Sequence, residues 1–380
     1  MDALNTLSAI ASAIDGANSG STHPVTMPDF VITYEGKDIT ADIKPYLISI
    51  NYTDNLGGQS DELTVDFEDV DGRWLRAWYP EQGDSLSISV GDQFTGLVSW
   101  GSFEISEIEY EHPPSTISLK ALSTGITRAQ RTPHPKAYEK TTLEKIVRMV
   151  AARLKLSVTG TVAKIDIERV TQYQETDLEF LTRLAREYGH TFKVVDKTLV
   201  FHANAELSKT EPVAVLNPAD IKSIRMRDLI KGVPEEATVT GYDAKKKTTR
   251  SVTRKAKPKR RNAKRATTTD ALKIVANRGE SDAQMEARAD AALSDAQLSQ
   301  VAGSISMVGN AKLVAGQVMQ LKGYGKLSGK YLLKNSRHAL SKSSGYTLDI
   351  EVKMVEYIDD EVKVSTAGAA QDTGANNASA

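Results

Sequence analysis

Glu175 and Asp177 have the spacing of a hydrolytic pair, in which one carboxyl donates a proton and the other stays ionised. They flank Thr176, however, and Thr176-Asp177-Leu178-Glu179 has the form of a helix capping box, where carboxylates favour the positive end of the helix dipole. The six histidines, His23, His112, His134, His190, His202 and His338, are scattered, and none pairs with another at the helical spacing of a metal site. Glu187 and His190 straddle an expected helix end, so their side chains need not converge. Glu68-Asp69-Val70-Asp71-Gly72 starts like a calcium loop but lacks the third acid and the distal Glu, which leaves an Asp-rich turn after a strand. Gly323, Gly325 and Gly329 imitate a dinucleotide fingerprint, one residue too long and followed by a strand where a helix is required. No Gly-x-Ser-x-Gly elbow occurs. The expectation is a chain with no catalytic role, no cofactor and no metal.

Two other groups of residues carry a binding message. Between Lys245 and Arg265 there are twelve Lys or Arg residues and no acid, among them Lys245, Lys246, Lys247, Lys259, Arg260 and Arg261. Such a run reads as a mobile loop, not a core element, that docks on an acidic partner or neutralises phosphates. Docking is preferred to nucleic acid, because the run has no aromatic residue for base stacking and the chain as a whole is balanced, with 48 basic and 49 acidic residues. Trp74, Trp78 and Tyr79 crowd with Arg73 and Arg76 in one short stretch. They suit interface anchors, and equally a plug over the end of a β-structure.

The elements that must position these groups follow from periodicity. At 380 residues the chain is long enough for about two to three domains. It has no cysteine, so disulfides and thiolate chemistry are excluded. Nothing resembles a basic leader or a run of about twenty apolar residues, so the expected product is soluble, cytosolically made and unanchored. A short helix at Asp2–Ile14 and a small-residue joint form an N-terminal arm over 1–27. Alternating runs at 30–34, 47–52 and 63–67 begin a first β-barrel over 28–130. The period changes to 3.6 in a small α+β domain over 131–205. Leu143, Ile146, Val147, Val150 and Leu154 mark one stripe there, and Leu178, Leu181, Ala185 and Tyr188 another, before a hairpin turning at Asp196-Lys197. A second barrel, 206–358, is expected to hold the basic loop 245–265 and a helix at 281–300, with a buried stripe of Met285, Ala289, Ala292, Leu293 and Ala296. The end, 359–380, reads as a disordered polar tail.

One pattern occurs twice. Gly83 with the alternating 85–90, Gly101-Ser102-Phe103, and then Thr116-Ile117-Ser118-Leu119 form the first copy. Gly316 with 317–321, Gly329-Lys330-Tyr331, and then Thr347-Leu348-Asp349-Ile350 form the second, in the same order and with comparable gaps. The fold class is therefore α+β, mainly β, with two similar tube-like antiparallel barrels flanking the small domain. A duplicated module gives each chain two near-equivalent surfaces, which favours a part of an assembly over an enzyme.

The order Ser60-Asp61-Glu62-Leu63-Thr64-Val65, Pro80-Glu81-Gln82-Gly83-Asp84 and Gly101-Ser102-Phe103-Glu104-Ile105 resembles the late control gene D family of contractile-tail bacteriophages. Residues 174–185, ending in Gly189 and Phe192, are similar to that family and to the hub part of type VI secretion spike proteins. The resemblance implies a structural baseplate hub in a phage tail or phage-tail-like particle, assembled in the host cytoplasm. Its expected form is a homotrimer whose two barrels per chain make a pseudo-sixfold ring between a trimeric spike protein and the hexameric tail tube or its initiator, beside neighbouring baseplate proteins. The polar tail, in place of a needle, leads to the expectation that the spike is a separate polypeptide. The rival readings are a tail-associated peptidoglycan hydrolase through Glu175 or Asp177, and a nucleic-acid-binding module through the basic loop.

Overall fold

Alternation of apolar and polar side chains decides the first part of the chain. In a computed structural model, which describes residues 27–56, 60–123, 133–195, 197–229, 232–243, 247–256 and 270–359, this part forms β1 (Pro28–Tyr34), β2 (Lys37–Asp38), the one-turn helix α1 (Thr40–Ile43), β3 (Leu47–Asn55), β4 (Glu62–Glu68), β5 (Ser85–Asp92), β6 (Gly96–Glu111) and β7 (Thr116–Ser123). Leu63, Val65 and Phe67 of β4 face one core with Ile50 and Tyr52 of β3 and Ile117 and Leu119 of β7, as the period of two demands. All pairings are antiparallel, in the spatial order β3-β4-β7-β6-β5-β1-β2.

The middle of the chain forms β8 (Lys136–Thr142), α2 (Leu143–Arg153), β9 (Ser157–Thr159), β10 (Asp166–Gln172), α3 (Asp177–Glu187), β11 (His190–Val195) and β12 (Thr198–Ala203). Thr142 caps α2 by accepting from the Lys145 amide, and Thr176 and Glu179 close a reciprocal capping box on α3. The expected α2 stripe is buried throughout. Of the expected α3 stripe, Leu181, Ala185 and Tyr188 are buried, joined by Phe180 and Leu184, and only Leu178 is half-buried at its side. Gly189 ends that helix at φ +66°, and β11 pairs with β12 as the expected hairpin.

The rest comprises β13 (Val215–Leu216), β14 (Ile221–Asp228), β15 (Glu236–Asp243), β16 (Thr248–Lys255), β17 (Ala271–Val275), α4 (Asp282–Leu298), β18 (Val301–Val308), β19 (Val318–Leu321), β20 (Gly329–Ser341) and β21 (Gly345–Tyr357). Here the spatial order β14-β18-β21-β20-β19-β13 reproduces β3-β4-β7-β6-β5-β1 strand for strand. The agreement extends to single hydrogen bonds. The Gly83 amide donates to the Ile105 carbonyl (2.8 Å) and the Ile105 amide to the Asp84 carbonyl (2.9 Å). The Gly316 amide donates to Leu333 and the Leu333 amide to Gln317, both at 2.9 Å. Both glycines have φ near +90°. A bulge follows at once in each module, between Ile105 and Glu107 on β6 and between Leu333 and Asn335 on β20. One pairing differs: β13 runs parallel to β19, whereas β1 runs antiparallel to β5.

The chain is mainly β, as expected, but the two modules do not close into separate barrels. Among the described residues they lie on one continuous hydrogen-bonded path, because the far half of β20 pairs with β3 of the other module. The edge that closure of the first module would require is thereby occupied.

The described residues between 236 and 298 stay out of that path. β16-β15-β17 form a sheet of their own under α4, with Ala237, Val239, Met285, Ala289 and Leu293 as its core. Ala292 and Ala296, expected in the buried stripe, are half-buried, whereas Gln284 and Ala291 turn toward the middle body. Gln284 there bonds the Tyr188 hydroxyl at 3.1 Å. The segment 245–265, expected as a loop, contains strand β16. The reason is alternation within the charge: Arg250, Val252 and Arg254 share one face, and Arg250 and Arg254 pair with Asp282 and Asp290 of α4 at 2.9 and 3.0 Å. The N-terminal arm to residue 26 and the tail from 360 lie outside the described residues.

Candidate functional site

Among the described residues, the carboxylates and buried histidines with catalytic potential are engaged in local structure. Asp177 is buried and held by Arg153, with Gln172 donating to it at 2.8 Å. Glu175 accepts from Arg183 at 2.9 Å, and Glu187 lies beside the same guanidinium at 3.4 Å. These are ion pairs of a helix start, not an acid and base facing a cleft. His190 accepts from the Ala163 amide and His202 from the Thr161 amide, both at 3.1 Å. Burial pushes the His190 imidazole down to about 4. His338 is packed with Tyr52, Trp100 and Tyr346, bonds the Tyr346 hydroxyl at 2.9 Å, and is likewise pushed down to about 4 by burial. Asp69 takes the Trp74 amide at 3.0 Å and Asp71 the Arg73 guanidinium, which makes 68–72 a side-chain-closed turn. Among the described residues no cluster of three metal-ligating side chains occurs, and no helix is long and apolar enough to cross a membrane.

Each candidate interface residue is placed differently. Trp74 is buried, stacked on Phe67 with ring centres 4.4 Å apart and meeting Trp78 edge-on at 5.5 Å. It plugs one end of the first module. Trp78 is half-buried, with the Arg73 guanidinium 4.7 Å above its ring. Tyr79 is 53% exposed. Together with Ile32, Tyr34 and Ile43 these rings line a pocket of about 280 Å³. Lys247 is exposed in the β15–β16 turn, at φ +52°. Lys245, Lys246, Lys259, Arg260 and Arg261 lie outside the described residues.

A buried charge cluster that periodicity did not reveal joins the middle body to both modules. Lys193 of β11 reaches Asp54 of β3 in a direct ion pair and Asp61 at 3.4 Å, and all three side chains are at most 9% exposed. The second oxygen of Asp54 accepts from the Ala315 amide (2.9 Å), and Asp61 accepts from the Asn55 amide (3.0 Å). Burial pushes the Asp61 carboxyl up to about 7, with Lys193 opposing the rise and Asp54 adding to it. One trace existed in the sequence: a lone Lys inside the apolar strand Phe192-Lys193-Val194-Val195. Its partners are more than a hundred residues away, and no local rule names them. The cluster acts as a rivet that fixes the three bodies relative to one another.

Known proteins share both sequence and fold with this chain. Residues 123–344 match the family described as phage tail baseplate hub (GPD). The probable baseplate hub protein of Escherichia phage 186 is 33% identical over 176 residues, 46% of this chain and 44% of that protein. That of Escherichia phage P2 is 32% identical over 186 residues, 48% of this chain and 46% of that protein. The matched segment thus spans just under half the length of these curated relatives. The crystal structure of the tail protein from Neisseria meningitidis MC58 has the same fold. It is 14% identical with a TM-score of 0.63, over 86% of this chain and 96% of that one.

Proposed function

Since the chain belongs to the phage tail baseplate hub (GPD) family, we propose that three copies form a ring of pseudo-sixfold symmetry that joins a trimeric spike protein to a hexameric tail tube or its initiator. The observation that carries this reading is the internal duplication. Two modules share one strand order, one pair of glycine-led hydrogen bonds and one bulge position. Three chains then offer six similar modules around one axis, and the chain itself supplies the symmetry change that spike and tube require. The location that follows is the tail end of a virion or a tail-like particle, among other baseplate proteins. The half-buried Trp78, the exposed Tyr79 and the exposed Lys247 are the proposed contacts to those neighbours. No observation favours the hydrolase reading, since Glu175 and Asp177 each face an arginine.

Light scattering on the full chain, alone and mixed with the spike and tube proteins of the same particle, tests the reading. A mass of three chains and a ring with six density lobes are expected. A monomer that binds neither partner would refute it.

A further inference from the structure

The two modules have corresponding strands, but they use one half-strand differently. In the second module the far half of β20, Asn335–Ser341, pairs antiparallel with β3 of the first. Its counterpart on β6, Ser106–Glu111, is hydrogen-bonded to β7 on one side and, among the described residues, to no strand on the other. The counterpart of β3 is β14, which among the described residues ends the sheet and pairs only with β18. The chain therefore contains one completed joint and both unmatched halves of a second.

We infer that β6 of one protomer adds to β14 of a second copy of this chain, antiparallel and in the register of the internal β20–β3 joint. The shared bulge and the shared rows fix that register. Ile50, Val65, Leu119 and Ile108 occupy one row of the first module, and Ile224, Ile305, Ile350 and Ser336 the same row of the second. By this alignment Met226 stands where Tyr52 stands and Asp228 where Asp54 stands, while Tyr110 stands where His338 stands. The internal pairs His338–Tyr52, Arg337–Thr53 and Ala339–Asn51 then become Tyr110–Met226, Glu109–Arg227 and Glu111–Arg225 between protomers.

Those pairings are chemically matched although nothing in the transfer required it. Two rows set a carboxylate against a guanidinium, and the row between them sets an aromatic ring against a thioether. The β6 edge carries Glu107, Glu109 and Glu111, and β14 carries Lys222, Arg225 and Arg227. Among the described residues no carboxylate is within ion-pair reach of Arg225 or Arg227, while Glu107 and Glu109 share Lys120. Tyr110 is 39% exposed and Leu229, next to β14, is 43% exposed, so the edges also carry apolar surface. Two β6 edges repel each other, and so do two β14 edges. Only the head-to-tail pairing is favoured, and with the inner and outer joints alike it curves into a ring. That the ring closes at three chains rests on the hub reading above; the identity of the joint does not.

The full chain carries the test. Glu109→Arg with Glu111→Arg, or Arg225→Glu with Arg227→Glu, sets like charges opposite each other and should weaken self-association by about tenfold or more. Combining all four substitutions should restore it. The chain has no cysteine, so Tyr110→Cys with Met226→Cys reports the register directly: paired residues are close enough for a disulfide, and oxidation should link chain to chain. Tyr110→Cys with Ile224→Cys, two residues out of register, should link poorly. A trimer that forms normally in the charge variants and gives no specific link at 110–226 overturns the ladder while leaving the hub reading in place. A chain that stays monomeric even with spike and tube proteins present overturns both.

Discussion

Replacing Lys193 by Met leaves Asp54 and Asp61 in the joint without a cation. Both carboxylates are nearly inaccessible, and their remaining donors are the Ala315 and Asn55 amides and, at 3.5 Å from Asp61, the Tyr52 hydroxyl. Removing one partner of a buried ion pair costs about 3–5 kcal/mol, because the charge left behind cannot be rehydrated. The pH dependence follows from Asp61. Its carboxyl is pushed up to about 7 in the folded chain, against about 3.9 when unfolded. Between those values the folded state holds a proton that the unfolded state has released. Asp61 therefore weakens the fold as pH rises through that window, and its full penalty applies above it. Lys193 is the group that lowers this pKa, so K193M extends the penalty to higher pH. Urea unfolding should show the full loss at pH 8 and a clearly smaller one at pH 5. Hydrogen exchange should show the Ala315 and Asn55 amides exposed first. K193M within about 0.5 kcal/mol of the parent at pH 8, or a larger loss at pH 5, would refute the rivet. The triple variant K193M/D54N/D61N should recover most of the loss, because neutral amides do not need the cation.

Trp74→Ala should cost about 3–5 kcal/mol in chemical denaturation, the range for emptying a buried aromatic site, whereas Tyr79→Ala should stay within about 0.5 kcal/mol. Gly303→Ala would put a Cβ 2.1 Å from the Arg225 carbonyl oxygen. The clash is with backbone, so β14 should lose its pairing, seen as fast amide exchange over Ile221–Asp228. The His338 imidazole should show no NMR titration until pH falls to about 4. Because the unfolded chain takes up that proton near 6.5, the site destabilises the fold as pH drops from about 6.5 to 4, opposite in sign to Asp61.

The duplication was legible because its markers are local. Gly83 and Gly316 need positive φ, and each is followed by period-two strands. The helix starts at Thr176 and Ser281 were legible for the same reason, since a cap and its partner lie within three residues. What failed was remote or masked by composition. Asn335 meets Asn55 across 280 residues, so nothing local distinguishes a module that closes on itself from one that hands its edge to a neighbour. Strand β16 was hidden because twelve cations outweighed its alternation, and the acids that neutralise Arg250 and Arg254 sit on a helix some thirty residues further on. Lys193 was passed over because its two aspartates lie in another body.

The contrast between the inner joint and the two free edges has a physical rationale. The inner joint forms once, during folding, between segments of one chain. It can be nearly neutral and buried, with Asn335 bonded to Asn55, and with Tyr52 and His338 stacked at 5.8 Å. The free edges must remain in water until a second copy arrives, and a bare apolar strand edge would pair with anything extended. Glutamates on one edge and arginines on the other keep each soluble, refuse a like edge and accelerate encounter with the unlike one. On this account the substitutions that separate the modules, Thr53 to Arg227 and Arg337 to Glu109 in equivalent rows, mark the difference between a joint that is covalently guaranteed and one that must find its partner. A variant with the inner residues grafted onto both free edges should then associate less selectively, giving filaments and aggregates in place of one closed species.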